Sequence, residues 1–188
     1  MMKYSIKKTI LRTIFWLVVV FLLAAAGLYF YFLSLFTVYQ DDQYKFSIKY
    51  PKTWKVLAHP RESVAVVFLR PKDTVIDPVQ ENFNVTIQPI PNDIYTLTAF
   101  SATVKKQMIG VFGKSINIVE DKSIKWGWRE GHMMAINADK PHHLKMVNAW
   151  VLRGSQAYIL TYLGDIGKYD YDMYFVKEMI YSFQLQEK

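Results

Sequence analysis

The sequence contains no cysteine. That excludes disulfides, a cysteine-borne lipid anchor, thiolate metal sites and cysteine nucleophiles. Residues 1–40 contain no acid. Their basic residues, Lys3, Lys7, Lys8 and Arg12, carry four of the net charge of +7, leaving +3 to residues 41–188. Within residues 41–188 there is no basic run beyond Lys105-Lys106. The concentrated basic face of a nucleic-acid-binding protein is therefore missing, and no nucleic-acid partner is expected. There is no G-x-S-x-G elbow, no glycine-rich phosphate loop and no internal repeat, and no Gly/Ser or Pro-rich linker divides residues 41–188. Ser155, in "RGSQ", reads as a hairpin turn rather than a nucleophile.

What is present is apolar. The chain is 52% hydrophobic and 16% aromatic, too rich for a disordered polymer. From Thr13 to Phe36, "TIFWLVVVFLLAAAGLYFYFLSLF", 24 residues carry no charge. As a helix they would span about 36 Å, enough for a hydrocarbon core of about 30 Å. A cleavable signal peptide is the rival reading, with Ala24-Ala25-Ala26 as its cleavage-like stretch. The apolar run, however, continues well past Ala26, longer than such a peptide needs. The expected division is a basic cytoplasmic segment 1–12, a transmembrane helix 13–36, a short linker 37–43 and an extracytoplasmic domain 44–188. Basic residues before the helix and Asp41-Asp42 after it place the N-terminus in the cytoplasm. Trp16, Tyr29 and Tyr31 suit the two interfaces, and the aromatics Phe30, Phe32 and Phe36 suit contact with neighbouring helices of a membrane protein partner. Thr37 to Asp41 reach at most about 17 Å, which would hold the domain close to the bilayer.

The domain opens with "YKFSIKYPKTWKV". Tyr44, Phe46, Ile48 and Tyr50 alternate with Lys45, Ser47 and Lys49, the period of a half-buried strand. Pro51 ends it, and Trp54 turns back over the core. Further strands are expected at Val64–Leu69 and Phe83–Ile90. Then Leu97, Phe100, Val104, Met108 and Val111 recur at helical spacing, with Thr96 as N-cap. A strand around Ser115–Glu120 and a meander of Lys125–Asn137, Leu144–Arg153 and Gln156–Leu163 follow. A last helix carries Tyr171 or Tyr174, Phe175, Met179, Ile180 and Phe183 on one stripe. This order predicts an α+β domain, one twisted antiparallel sheet flanked by helices.

The first strand, F-x-I-x-Y-P followed by Trp, resembles the opening of PsbP-like domains; its core residues are Phe46, Ile48, Tyr50, Pro51 and Trp54. The closing strand and helix, ending in Ser182-Phe183, are similar to the end of that family, so the likeness spans nearly all of 44–185. The resemblance implies a sheet flanked by helices and a mostly non-catalytic adaptor, extrinsic subunit or bacterial envelope domain. This chain departs from the photosynthetic members, which are soluble lumenal proteins, in carrying its own apolar helix.

The remaining polar residues point to no enzyme, metal or cofactor. With a turn centred between Asp139 and Lys140, His132 would face Val147, while His142 and His143 would face Asn137 and Ile136. That leaves the histidines roughly 13–16 Å apart at about 3.3 Å per residue. His59 stands alone. Asp165, Asp170 and Asp172 lack the spacing of a calcium loop and read as caps and solvated loop residues. Asn84-Val85-Thr86 matches a glycosylation sequon but falls within a strand. The candidate interaction surface is Trp126 and Trp128, expected to share a strand face with Glu130 and His132. Packing beneath a helix is the commoner fate of such a pair; an exposed anchor for a partner is the functional alternative. The expected role is an accessory subunit or assembly factor beside a membrane protein, with a lipid- or sugar-binding envelope module, its cleft between sheet and helix, as the alternative.

Overall fold

The structure is a computed structural model describing residues 2–72, 79–91, 96–113, 116–138, 143–167 and 169–186. The chain divides into two units, Met1–Thr37 and Val38–Lys188. The first is the helix α1 (Met2–Ser34), whose segment Leu11–Ser34 is long and apolar enough to cross a membrane. It begins well before Thr13, because lysines and threonine at the start of the chain continue a helical backbone without belonging to an apolar span.

The expected linker 37–43 is not a linker. Residues Phe36–Asp41 form strand β1. Phe36-Thr37-Val38-Tyr39 are β-branched or aromatic, and an apolar run alone does not separate a helix end from a strand. The neighbour of β1 is β2 (Phe46–Pro51), which in turn pairs antiparallel with a short β10 (Gln184–Leu185). A second sheet has seven strands: β3 (Lys55–Arg61), β4 (Val64–Leu69), β5 (Asn82–Pro89), β6 (Ile116–Trp126), β7 (Arg129–Ala138), β8 (Leu144–Arg153) and β9 (Gln156–Asp165). Its spatial order is β3-β4-β5-β9-β8-β7-β6, antiparallel throughout. The expected single sheet is thus two sheets. β3 escaped the sequence reading because five of its seven residues are exposed, which leaves no apolar alternation. It is an edge strand, blunted by a register shift between Ala58 and Arg61 and by Pro60.

The seven-stranded sheet is covered on both faces. Met133, Ala135, Val147, Ala149, Tyr158, Leu160 and Tyr162 face the three-stranded sheet and α3 (Tyr169–Ser182). The alternate residues, Met134, Ile136, Trp150 and Ala157, face α2 (Leu97–Phe112). Two-sided burial is why β7 and β8 read as nearly continuous apolar runs. In α2, Thr96 caps the first turn by accepting from the Ala99 N–H, and Phe100 and Val104 are buried. Val111, expected on the stripe, is exposed, and Phe112 packs inward instead. In α3 the buried residues are Asp172, Met173, Val176, Met179 and Ile180. Tyr171 and Tyr174 point outward, one helical step from the face that meets the sheet.

Phe46 and Ile48 are fully buried, Pro51 is buried, Trp54 is 5% exposed and Tyr50 is partly covered against Phe68. Burial of side chains this large contributes about 1.5–3 kcal/mol each. Ser182 Oγ accepts from the Lys49 N–H at 2.9 Å, and the Phe183 ring stands 5.4 Å from that of Phe46. The end of α3 is thereby fastened to β2.

Candidate functional site

The tip of the β6–β7 hairpin carries the two tryptophans. Trp126 pairs with Arg129, so only Gly127 and Trp128 make the turn. Gly127 has φ +60°, a conformation that needs glycine at little cost. The expectation that Trp126 and Trp128 share a strand face fails for this reason. A tight turn separates them, and they have opposite fates. Trp126 is 7% exposed and Trp128 73%. Trp126 belongs to the core. Its indole N–H donates to the Ile180 carbonyl of α3, and its ring meets Phe183 edge-on at 5.6 Å. Gly131 provides the seat: a Cβ there would fall 2.5 Å from the Trp126 ring and 2.8 Å from the Trp150 carbonyl oxygen.

Trp128 is held from the outside. The Arg129 guanidinium lies 4.1 Å from its ring centroid, a cation–π contact. Between this tip and β10 runs a groove of about 220 Å³, lined by Trp126, Trp128, Arg129, Val151, Phe183 and Leu185, among others. The site combines an exposed aromatic, a half-buried guanidinium stacked on it and an apolar floor.

A second cluster was illegible in the sequence. Asp172, assigned there to capping or loop solvation, is completely buried in the first turn of α3. Its Oδ2 accepts from Tyr162 Oη at 2.9 Å, and its Oδ1 forms an ion pair with Arg70 Nε at 2.8 Å. Arg70 also stands 3.8 Å from the carboxylate of Glu81, which is equally buried. Burial raises the Asp172 carboxyl above its ordinary range, outweighing the Tyr162 and Arg70 hydrogen bonds that favour its charge. Burial also pushes the Tyr162 phenol up, with the Asp172 charge adding to it. The cluster joins α3 to the strands, and Arg70 and Asp172 line a small groove of about 160 Å³ together with Thr53, Trp54, Tyr171 and Phe175.

The histidines go separate ways. His59 sits at the irregularity of β3 with φ +46°, and its Nε2 is 3.3 Å from Asp41. Asp41 is buried and accepts from the Tyr44 N–H at 2.8 Å and from Tyr39 Oη at 3.1 Å. Burial, with the Asp41 charge beside it, pushes the Tyr39 phenol up to about 12. His132 faces Trp150, not Val147, because the β7–β8 register is centred nearer Pro141 than the Asp139–Lys140 bond. It stacks on that indole at 5.0 Å and hydrogen-bonds Asp121. Asp121, also 2.8 Å from Lys105 Nζ, is held below its ordinary range by those two hydrogen bonds, that of Lys105 first. Asp165 accepts from the Gly167 N–H and shapes its own loop. His142 and the side chain of Asp170 lie outside the described residues. Among the described residues, no three His, Asp or Glu side chains converge as metal ligands. Asn84 of the sequon lies in β5, between β4 and β9, and accepts from Thr86 Oγ1.

Helices on both faces of an antiparallel sheet, with a small sheet closing one side and an apolar helix ahead of them in the chain, define the class: an α+β domain. The chain belongs to the PsbP family, whose model matches residues 34–184, from the start of β1 to β10. Among solved structures it is similar to cyanobacterial PsbP (CyanoP) from Synechocystis, with a TM-score of 0.59, 14% identity and coverage of 80% of this chain and 92% of that one. The Ran-binding protein Mog1p of Saccharomyces cerevisiae matches with a TM-score of 0.56 at 8% identity, covering 80% and 95% of the two chains. LpqN of Mycobacterium tuberculosis, described as involved in cell envelope biogenesis, matches with 0.57 at 9% identity, covering 81% and 91%. At these identities the likeness is one of fold. A comparison with curated proteins gave no match.

Proposed function

We propose that this protein is a non-catalytic, single-pass membrane protein whose PsbP-family domain stands outside the cytoplasm and serves as an accessory subunit or assembly factor of a membrane protein complex. The observation that carries the reading is the exposed Trp128, on a two-residue turn beside an apolar groove, with the half-buried Arg129 guanidinium stacked on its ring. Tryptophan and arginine are enriched at the hot spots of protein interfaces, tryptophan because it buries a large area at little conformational cost and arginine because its planar fork pairs with carboxylates. The apolar helix supports a membrane location, and its four preceding basic residues support a cytoplasmic N-terminus. The partner is an integral membrane protein presenting an apolar pocket with an acidic rim.

Co-purification from mild detergent tests the proposal. A stoichiometric membrane protein should accompany the wild type, and Trp128→Ala or Arg129→Ala should lose it while leaving the domain folded. A lone protein carrying a co-purified small molecule would favour a lipid- or sugar-binding envelope module instead. Undiminished recovery with both variants would remove this hairpin from the interface.

A further inference from the structure

A larger groove lies between two other turns, one joining β1 to β2 at 42–45 and one joining β8 to β9 at 154–155. It has a volume of about 490 Å³, and its walls include Gln43, Tyr44, Lys45, Arg153, Ser155 and Gln156. Ligand sites commonly enclose about 300–1,000 Å³.

The two turns are cross-linked. Tyr158, buried at the base, donates its hydroxyl to the Tyr44 carbonyl at 2.9 Å. Arg153 Nη1 donates to the Lys45 carbonyl at 3.4 Å, and the Gln186 N–H donates to the same oxygen at 2.9 Å. Lys45 has φ +56°, a conformation that costs a side chain-bearing residue roughly 1–2 kcal/mol and persists only where neighbours hold it. Here they do. The groove is therefore built before any ligand arrives.

Its electrostatics are one-sided. The lining carries two cations, Lys45 and Arg153, and no acid. The acids nearest in sequence lie outside the lining: Asp42 is exposed and accepts from Gln40, and Asp41 is engaged by His59, Tyr39 and the Tyr44 N–H. Among the described residues, one Arg153 N–H group is used internally, to the Lys45 carbonyl. Arginine presents a planar fork of donors matched to phosphate, and lysine adds a point charge. Gln43, Ser155 and Gln156 supply neutral donors and acceptors of the kind that hydroxyl groups pair with.

We infer that this groove binds an anionic polyol, with a phosphoryl or phosphodiester group between Lys45 and Arg153 and its hydroxyls on Gln43, Ser155 and Gln156. The same chemistry is offered by a free sugar or glycerol phosphate and by a phospholipid headgroup. This site is distinct from the Trp128 hairpin and stands whether or not that hairpin binds a protein.

The test uses the full chain in neutral detergent and calorimetric titration. The probes are glycerol 3-phosphate, as the free solute, and dihexanoyl phosphatidylglycerol below its micelle concentration, as the headgroup. Saturable binding that weakens with added salt is expected. Lys45→Gln with Arg153→Gln should reduce affinity roughly tenfold or more, the scale of a lost charged hydrogen bond. Lys52→Gln with Lys55→Gln removes equal charge beyond the other end of β2 and should leave affinity unchanged. Lys45→Gln alone alters an exposed side chain without touching the Arg153 bond, so it reports on the cation even if the double variant misfolds. Binding of both probes assigns recognition to the phosphoryl polyol itself; binding of the lipid alone assigns it to a headgroup. The inference is overturned if neither probe binds, or if both double variants weaken binding equally.

Discussion

Trp126 and Trp128 offer a sharp test, because the same residue type two positions apart should behave in opposite ways. Fully burying a tryptophan removes about 150–250 Å² from water. At about 25 cal/mol per Å² this is roughly 4–6 kcal/mol, in line with the 3–5 kcal/mol or so that large aromatic-to-alanine changes cost in cores. Trp126 is 7% exposed, packs against Phe183 and donates to the Ile180 carbonyl. Truncation to alanine leaves a cavity under α3 and an acceptor without its donor. Trp126→Ala should therefore lower stability by about 4 kcal/mol, a large part of the 5–15 kcal/mol or so available to a domain of this size. At about 2–4 °C per kcal/mol, the melting temperature should fall by roughly 10 °C or more. Trp128→Ala, at 73% exposure, should change stability by less than about 0.5 kcal/mol. Urea unfolding of the full chain in detergent, followed by circular dichroism, reads both. Equal shifts for the two variants, or a larger one for Trp128→Ala, would refute the assignment of one ring to the core and the other to a partner.

The remaining predictions concern pH, attachment and orientation. The Asp172 carboxyl is raised above its ordinary value of 3.8 in the folded protein by burial, among Arg70, Tyr162 and Glu81. The folded state thus holds its proton more tightly, so this group contributes stability below its unfolded value and loses it as pH rises through the folded one. Urea midpoints of wild type and Asp172→Asn should show the wild type gaining on the variant from pH 7 to pH 4; the reverse trend would contradict the assignment. Attachment is tested with about thirty Gly/Ser residues inserted after Ser34, between α1 and β1; insertion after Asp42 would instead split the β1–β2 turn. Partner recovery should fall while the domain stays folded, and unchanged recovery would leave the helix as a localisation device alone. Protease added to intact spheroplasts should digest residues 41–188 and leave a membrane stub, whereas full protection would reverse the proposed orientation.

The sequence by itself determined whatever depends on neighbours a few residues apart. The alternation of Phe46, Ile48 and Tyr50, the Thr96 cap and the alternation of Phe83, Val85 and Ile87 are all local, and the PsbP-family pattern is assembled from such pieces. The uncharged run of α1 is likewise a matter of composition. Tertiary structure decided the rest. β1 and β10 exist because β2 offers them its two edges, and nothing in Gln184-Leu185 alone specifies a strand. Asp172 reads as a surface cap until Arg70 and Tyr162, brought from distant strands, meet it in the core. The Lys45–Arg153 groove joins residues from opposite ends of the domain. Trp126 and Trp128 were seen as a pair, but their separation rests on Gly127 turning the chain and on α3 arriving to receive only one ring. Alternation records which side of a strand a residue occupies. Which element covers that side, and whether a charge there finds a partner, depends on contacts between segments remote in the chain.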